Sequence, residues 1–209
     1  PDYSAAADGL DGEMTLALWL RAEGFGIADA RLVSRASGEG EQDHAWMLST
    51  TGGTGLRFRL RAGGATSTLA TGLGVLTARR WYHLAATYDG ADMRLYLDGV
   101  ELASLPKSGA VDAAEGIPAA LGNQPAGTGE RPFHGRLDEV LLVRRALTPA
   151  EIDSLAHPPG NQTPVADFLV YPDQGRPPHL AVFNGSTSED VDGEVVDWAW
   201  DFGDGTADS

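Results

Sequence analysis

Along most of this chain apolar and polar positions alternate with a period near two, and helical spacing is rare. Met14-Thr15-Leu16-Ala17-Leu18-Trp19-Leu20 reads as a strand with one face on a core. Leu56-Arg57-Phe58-Arg59-Leu60-Arg61 alternates cleanly and puts its arginines on the face opposite its apolar side chains, because successive strand residues point to opposite sides. His83 to Tyr88 and Met93 to Leu97 read as two strands joined at Asp89-Gly90; Asp98-Gly99 turns again into Val100-Glu101-Leu102-Ala103, and Leu137 to Val143 adds another strand. Asp-Gly pairs suit such turns because glycine accepts a positive φ. Many short strands separated by turn signals predict an all-β, antiparallel two-sheet sandwich of the jelly-roll kind.

One helical turn interrupts this pattern. In Thr148-Pro149-Ala150-Glu151-Ile152 the threonine is a good N-cap, the proline fits the first helical position and Glu151 completes a capping box. A boundary follows. His157-Pro158-Pro159-Gly160-Asn161-Gln162-Thr163-Pro164 is too rich in proline for regular structure. We therefore divide the chain into a first domain over residues 1–156, a linker over 157–163 and a second β domain over 164–209.

Composition narrows the partners. The net charge is −15, and Lys107 is the single lysine among 15 basic residues. Such a surface repels nucleic acid and anionic lipid, which need basic side chains to displace counterions. It suits a secreted protein, with or without bound divalent cations. The absence of cysteine excludes disulfides, thiolate metal sites and thiol catalysis. No apolar run reaches about 18 residues, so no membrane-inserted helix is expected. The chain opens at Pro1-Asp2-Tyr3 without a signal peptide, which we read as a processed protein or an excised piece.

Two sets of motifs carry family resemblances. Arg80-Trp81-Tyr82-His83-Leu84, Tyr96-Leu97-Asp98-Gly99, Gly135-Arg136-Leu137-Asp138-Glu139-Val140 and Ala146-Leu147-Thr148-Pro149-Ala150-Glu151-Ile152 make residues 10–156 resemble the laminin-G-like group of concanavalin-A-like domains. That resemblance implies a two-sheet jelly roll binding carbohydrate, protein or calcium as an accessory module of a secreted protein. Such domains carry an edge strand before the equivalent of Met14, where only 13 residues precede here. An upstream segment or another chain is expected to supply it. In the second domain, Pro164-Val165-Ala166, Phe183-Asn184-Gly185-Ser186, Asp190-Val191-Asp192-Gly193 and Trp200-Asp201-Phe202-Gly203-Asp204-Gly205 resemble a PKD domain, an immunoglobulin-like β-sandwich that stops partway at Ser209.

Candidate sites divide by chemistry. Asp190 and Asp192 place two carboxylates in a glycine-closed turn, the oxygen-rich arrangement that Ca²⁺ prefers; the PKD resemblance adds Asn161 as a co-ligand. The competing reading is a solvated acidic turn. Asp138 and Glu139, adjacent in a strand, should face opposite ways, which makes Asp138 either a further calcium ligand or an ion-pair partner. Trp46, near Asp43 and His44 after a Gly/Glu-rich loop, is the candidate sugar-stacking platform, set against a core role. Arg57 and Arg59, with Arg61, form a basic stripe suited to an acidic polysaccharide or to pairing with nearby carboxylates. Trp19, Trp81, Trp198 and Trp200 read as core, and His83 as a packed core histidine.

Glycosidases of this superfold carry Glu-x-Asp-x-x-Glu or Glu-x-Asp-x-Glu on one strand face, since a retaining mechanism needs carboxylates about 5–5.5 Å apart. Glu39-Gly40-Glu41-Gln42-Asp43 is the nearest cluster and has the wrong order. The expectation is a non-catalytic extracellular module that binds a polysaccharide or a matrix or surface glycan and is stabilised by calcium. A subunit that assembles with neighbouring copies of itself by strand complementation, and a divergent glycoside hydrolase, are the alternatives.

Overall fold

The computed structural model describes residues 12–158, 165–172, 174, 175, 181–189, 195, 200, 201, 207 and 208. The chain forms two compact units, Pro1–Pro158 and Pro159–Ser209.

The first unit is an antiparallel jelly-roll sandwich. One sheet contains β1 (Met14–Ala22), β6 (Trp81–Tyr88), β7 (Asp92–Leu97), β8 (Val100–Pro106) and β10 (Gly135–Val143), in the order β10-β1-β6-β7-β8. The other contains β2 (Arg31–Ala36), β3 (His44–Thr51), β4 (Gly55–Ala62), β5 (Ala65–Ala70) and β9 (Ala119–Leu121), in the order β5-β4-β3-β2-β9. The sequence alternation decides which side chains meet between them. Leu16, Leu18 and Leu20 of β1 and Leu84, Ala86 and Tyr88 of β6 join Leu48, Leu56, Phe58 and Leu60 of the other sheet in one buried cluster. Each fully buried leucine contributes roughly 1.5–3 kcal/mol by leaving water. At the Asp98-Gly99 turn Gly99 has φ +79°, which strains any residue with a Cβ, and a Cβ there would also stand 3.3 Å from the Asp153 Cα, so glycine is favoured.

Helix α1 (Pro149–Ala156) packs across the outer face of the first sheet. Its Ile152 meets Ala17, Ala85 and Tyr96 in a second, smaller core. The helix starts with the expected capping box: the Glu151 backbone N–H donates to Thr148 Oγ1 at 3.3 Å, and the Thr148 N–H donates to Glu151 Oε2 at 2.8 Å. The Arg145 guanidinium, with the Thr148 donors, holds the Glu151 carboxyl down at about 2.

Two irregularities redirect side chains on the outer faces of the sheets. Opposite Arg35 and Ala36, the strand β3 carries one extra residue, since Arg35 pairs Trp46 while Ala36 pairs His44. Opposite Leu18, β10 carries another, since Ala17 pairs Leu141 while Trp19 pairs Asp138. Each is a β-bulge, which redirects the side chains on either side of it.

In the second unit β11 (Leu169–Tyr171) pairs with β12 (Val182–Asn184), and β13 (Trp200–Asp201) with β14 (Ala207–Asp208). Phe168, Phe183 and Trp200 gather with ring centroids 5.6–6.2 Å apart, and Trp200 is half-buried rather than core. Trp198 lies outside the described residues, as do residues 1–11, where an incomplete edge was expected.

Candidate functional site

The bulge at Ala45 divides the predicted Trp46, Asp43 and His44 site. In a regular strand His44 and Trp46 would share a face. Here Ala45 and Trp46 both join the core, where Trp46 is 3% exposed. It cannot stack on a sugar, and that assignment is corrected. Asp43 is exposed in a short 3₁₀ turn, Glu41–Asp43, and its carboxylate accepts the Gly40 N–H at 2.9 Å. It closes its own turn. His44 is thrown to the outer face of the sheet, fully buried beneath polar neighbours.

That outer face is lined with guanidinium groups. Arg31 of β2 is 2% exposed. Its Nε donates to Gln124 Oε1 at 2.8 Å and its Nη1 to Asp29 Oδ1 at 2.8 Å. Arg57 of β4 donates from Nη2 to the other Asp29 oxygen at 3.1 Å and from Nε to Ser49 Oγ at 3.1 Å. Arg131, from the loop after β9, approaches Asp29 Oδ1 at 3.5 Å and pairs with Glu39 at 2.8 Å. One carboxylate is thus shared among three arginines. Arg59, the next outward residue of β4, donates to Thr68 Oγ1 at 3.2 Å and lies 3.5 Å from His44 Nδ1. Arg61 pairs with Asp112 at 3.1 Å. The predicted basic stripe therefore exists, half-sunk in hydrogen bonds.

The electrostatics follow from this crowding. Burial raises the Asp29 pKa, but hydrogen bonds from Arg57 and Arg31 outweigh it and hold the carboxyl below the ordinary range. Burial lowers the Arg31 pKa; Asp29 opposes that, and the charges of Arg57 and Arg131 add to it. His44 Nδ1 lies 2.7 Å from the Gly40 carbonyl oxygen, which places its proton on Nδ1. Nε2 is then the acceptor, 3.4 Å from Gln124 Nε2 and 3.5 Å from Arg31 Nη2. Burial is the main force keeping this imidazole neutral, and the charges of Arg31 and Arg59 assist it. Gln124 joins the network: its Oε1 also accepts from Ser34 Oγ at 3.1 Å, and its Nε2 donates to the Gly38 carbonyl at 2.7 Å.

Sequence reading missed Arg31, Asp29, Gln124 and Arg131. Asp29, Gln124 and Arg131 come from loops without any periodic signal. Arg31, two residues after an aspartate, was the only one with a cue: a buried arginine needs a carboxylate partner.

The acidic candidates stand differently. Asp190, Asp192 and Asn161 lie outside the described residues. Asp138 is exposed, and its Oδ1 accepts the Glu139 N–H at 2.9 Å. Among the described residues no group of three His, Asp or Glu side chains could hold a metal ion together. The expectation that Asp138 and Glu139 face opposite ways is corrected. Glu139 sits at φ +47° in the bulge, and both line one groove. Trp81 is 38% exposed rather than core. His83 is buried as expected, with its pKa lowered chiefly by burial.

A two-sheet antiparallel jelly roll with a polar outer face defines a lectin-like class of domain. Its family profile, described as the concanavalin A-like lectin/glucanases superfamily, matches residues 2–153, and the chain belongs to that superfamily. A PKD domain follows, matched over residues 161–209. Solved structures share the fold. The CBM40 of Ruminococcus gnavus IT-sialidase, bound to α2,3-sialyllactose, aligns at 20% identity over 69% of this chain and 83% of that one, with a TM-score of 0.57. Domain 4 of AbnA, a GH43 extracellular arabinanase from Geobacillus stearothermophilus, in complex with arabinotriose, aligns at 20% identity over 70% and 68%, with a TM-score of 0.53. The heptameric SAP-like pentraxin of Limulus polyphemus aligns at 16% identity over 70% of each chain, with a TM-score of 0.52. At these identities the likeness is one of fold. No curated protein matches the sequence.

Proposed function

We propose that the first unit is a non-catalytic carbohydrate-binding module of an extracellular protein, and that its ligand is an anionic glycan held on the guanidinium-lined outer face of the β5-β4-β3-β2-β9 sheet. The observation that carries this reading is the sharing of Asp29 by Arg31, Arg57 and Arg131, with Arg59 beside them. On a chain of net charge −15, this is a local surplus of cation with fixed geometry. Arginine forks match carboxylates in two parallel hydrogen bonds, and planar guanidiniums lose little freedom in making them. Fold-level likeness to carbohydrate-binding modules supports the general class and not the choice of sugar.

The test is calorimetric titration with α2,3-sialyllactose and with oligogalacturonate at low and physiological salt. The expected result is saturable binding to at least one probe, weakened tenfold or more in Arg59→Ala and less in Arg59→Lys. Absence of binding to both probes, or equal binding by Arg59→Ala, refutes the anionic site.

A further inference from the structure

The other sheet carries a groove of different chemistry on its outer face. In the β1–β6 register Trp19 lies opposite His83, and Trp81 lies opposite Arg21. The two tryptophans are thus diagonal neighbours on one side of the sheet, within reach of one ligand. Trp81 is 38% exposed. Trp19 is half-buried, and its ring is held edge-on to the buried His83 imidazole, with centroids 5.4 Å apart. On the other side of β1, Asp138 stands directly opposite Trp19. The bulge then brings the next residue, Glu139, to the same groove at φ +47°, a conformation uncommon for any residue but glycine. Trp19, Trp81, Asp138, Glu139 and Pro158 line a cavity of about 400 Å³, a size common among small-ligand sites.

We propose that this groove is a second carbohydrate subsite, for a neutral hexose. A pyranose has an apolar C–H face and a rim of hydroxyl donors. The exposed Trp81 indole offers a flat surface to the former, and Trp19 forms the adjoining wall. Asp138 and Glu139 accept hydrogen bonds from the latter. Among the described residues neither carboxylate is ion-paired, and Asp138 uses one oxygen on a backbone N–H. The local charge points to an uncharged ligand. Arg21 and Arg136 face each other two residues along the β1–β10 register, on the same side as Trp19 and Asp138; with Arg79 they balance Asp138, Glu139 and Glu23, the carboxylate that Arg21 and Arg79 approach at 3.7 and 3.9 Å. The strained backbone at Glu139 is what delivers the second carboxylate, and folds retain such strain mainly where a site uses it.

The experiment is titration of the full chain with cellohexaose, mannohexaose and β1,4-galactotetraose, which carry no charge. At least one binds saturably. Trp81→Ala weakens that binding tenfold or more, Glu139→Gln several-fold, and Arg59→Ala leaves it unchanged. Glu139→Gly separates site from scaffold: it raises the melting temperature by relieving the backbone while it weakens the sugar. Should Trp81→Ala melt early, the exposed Glu139→Gln decides the question in its place. Failure of all three oligosaccharides to bind, or undiminished binding by Trp81→Ala and Glu139→Gln, overturns the subsite. Because these probes are neutral and the variants lie on the other sheet, such a failure leaves the anionic site standing, and loss of the anionic site leaves this one standing.

Discussion

Replacing Asp29 with asparagine tests the arginine face most directly. The change keeps the size of the side chain and one acceptor oxygen but removes the charge that Arg31, Arg57 and Arg131 share. Arg31 is the most exposed to this loss energetically, because its side chain is only 2% accessible. Breaking a fully buried ion pair by deleting one partner costs about 3–5 kcal/mol. Asp29 itself is 37% accessible, so solvent screens part of the pair and the figure must be reduced. A loss of roughly 2–3 kcal/mol is expected, read as a fall in melting temperature of roughly 5–10 °C at this chain length.

The double variant Asp29→Asn with Arg31→Met makes the argument quantitative. Methionine fills much of the same space and removes the stranded charge, so the double variant should be less destabilised than the sum of the singles. Binding should move the opposite way from stability. Without Asp29, Arg57 and Arg131 lose an internal counter-ion and can give those hydrogen bonds to an anionic glycan. Asp29→Asn should therefore bind oligogalacturonate at least as tightly as the parent, and the probe should restore part of the lost melting temperature. A cost below about 0.5 kcal/mol, the level of an exposed pair, would refute the idea of a buried, under-compensated cation cluster.

Three further outcomes are expected. Trp46→Ala removes a large core side chain and should cost about 3–5 kcal/mol; a thermal melt in which it matches the parent would place Trp46 outside the core. His44 and His83 have pKa values lowered mainly by burial, so the unfolded chain binds more protons than the folded one once pH falls below about 6.5, where a free imidazole titrates. Stability should decline from there toward pH 5, and His44→Gln should flatten part of that slope in urea titrations; an identical slope would mean His44 is not held neutral. Calcium is proposed to stabilise the PKD domain through Asp190, Asp192 and Asn161: millimolar Ca²⁺ after EDTA should raise the melting temperature, and Asp190→Ala with Asp192→Ala should abolish the rise. A double variant that responds like the parent would remove the site.

The parts of the fold that were legible in sequence are those set by strict periodicity or by caps. Leu56 to Arg61 alternates without interruption, so its core residues Leu56, Phe58 and Leu60 and its outward arginines could be assigned correctly. Thr148, Pro149 and Glu151 announce α1 because capping chemistry is local. Trp81 was misread for a different reason. Strand position predicts a face, but whether the outer face is covered depends on where α1 lies. The helix shields Ala85 and Tyr96 and leaves Trp81, at the start of β6, exposed.

The errors at Trp46 and at Glu139 have one physical cause. Periodicity arguments assume that every residue advances the strand by half a turn of the pleat, and a bulge breaks that assumption by one residue. At Ala45 the extra residue drops Trp46 into the core and lifts His44 among the arginines. At Glu139 the extra residue turns what should be one inward and one outward carboxylate into two that line the same groove. Nothing in the composition of either stretch marks the insertion: neither Ala45 nor Glu139 is a glycine, the residue that usually betrays a bulge. Both candidate recognition surfaces therefore owe a key side chain to a departure from the regular strand. Deleting Ala45 should return His44 and Trp46 to one face, and the variant should lose stability through a displaced core tryptophan well before any effect on glycan binding can be read.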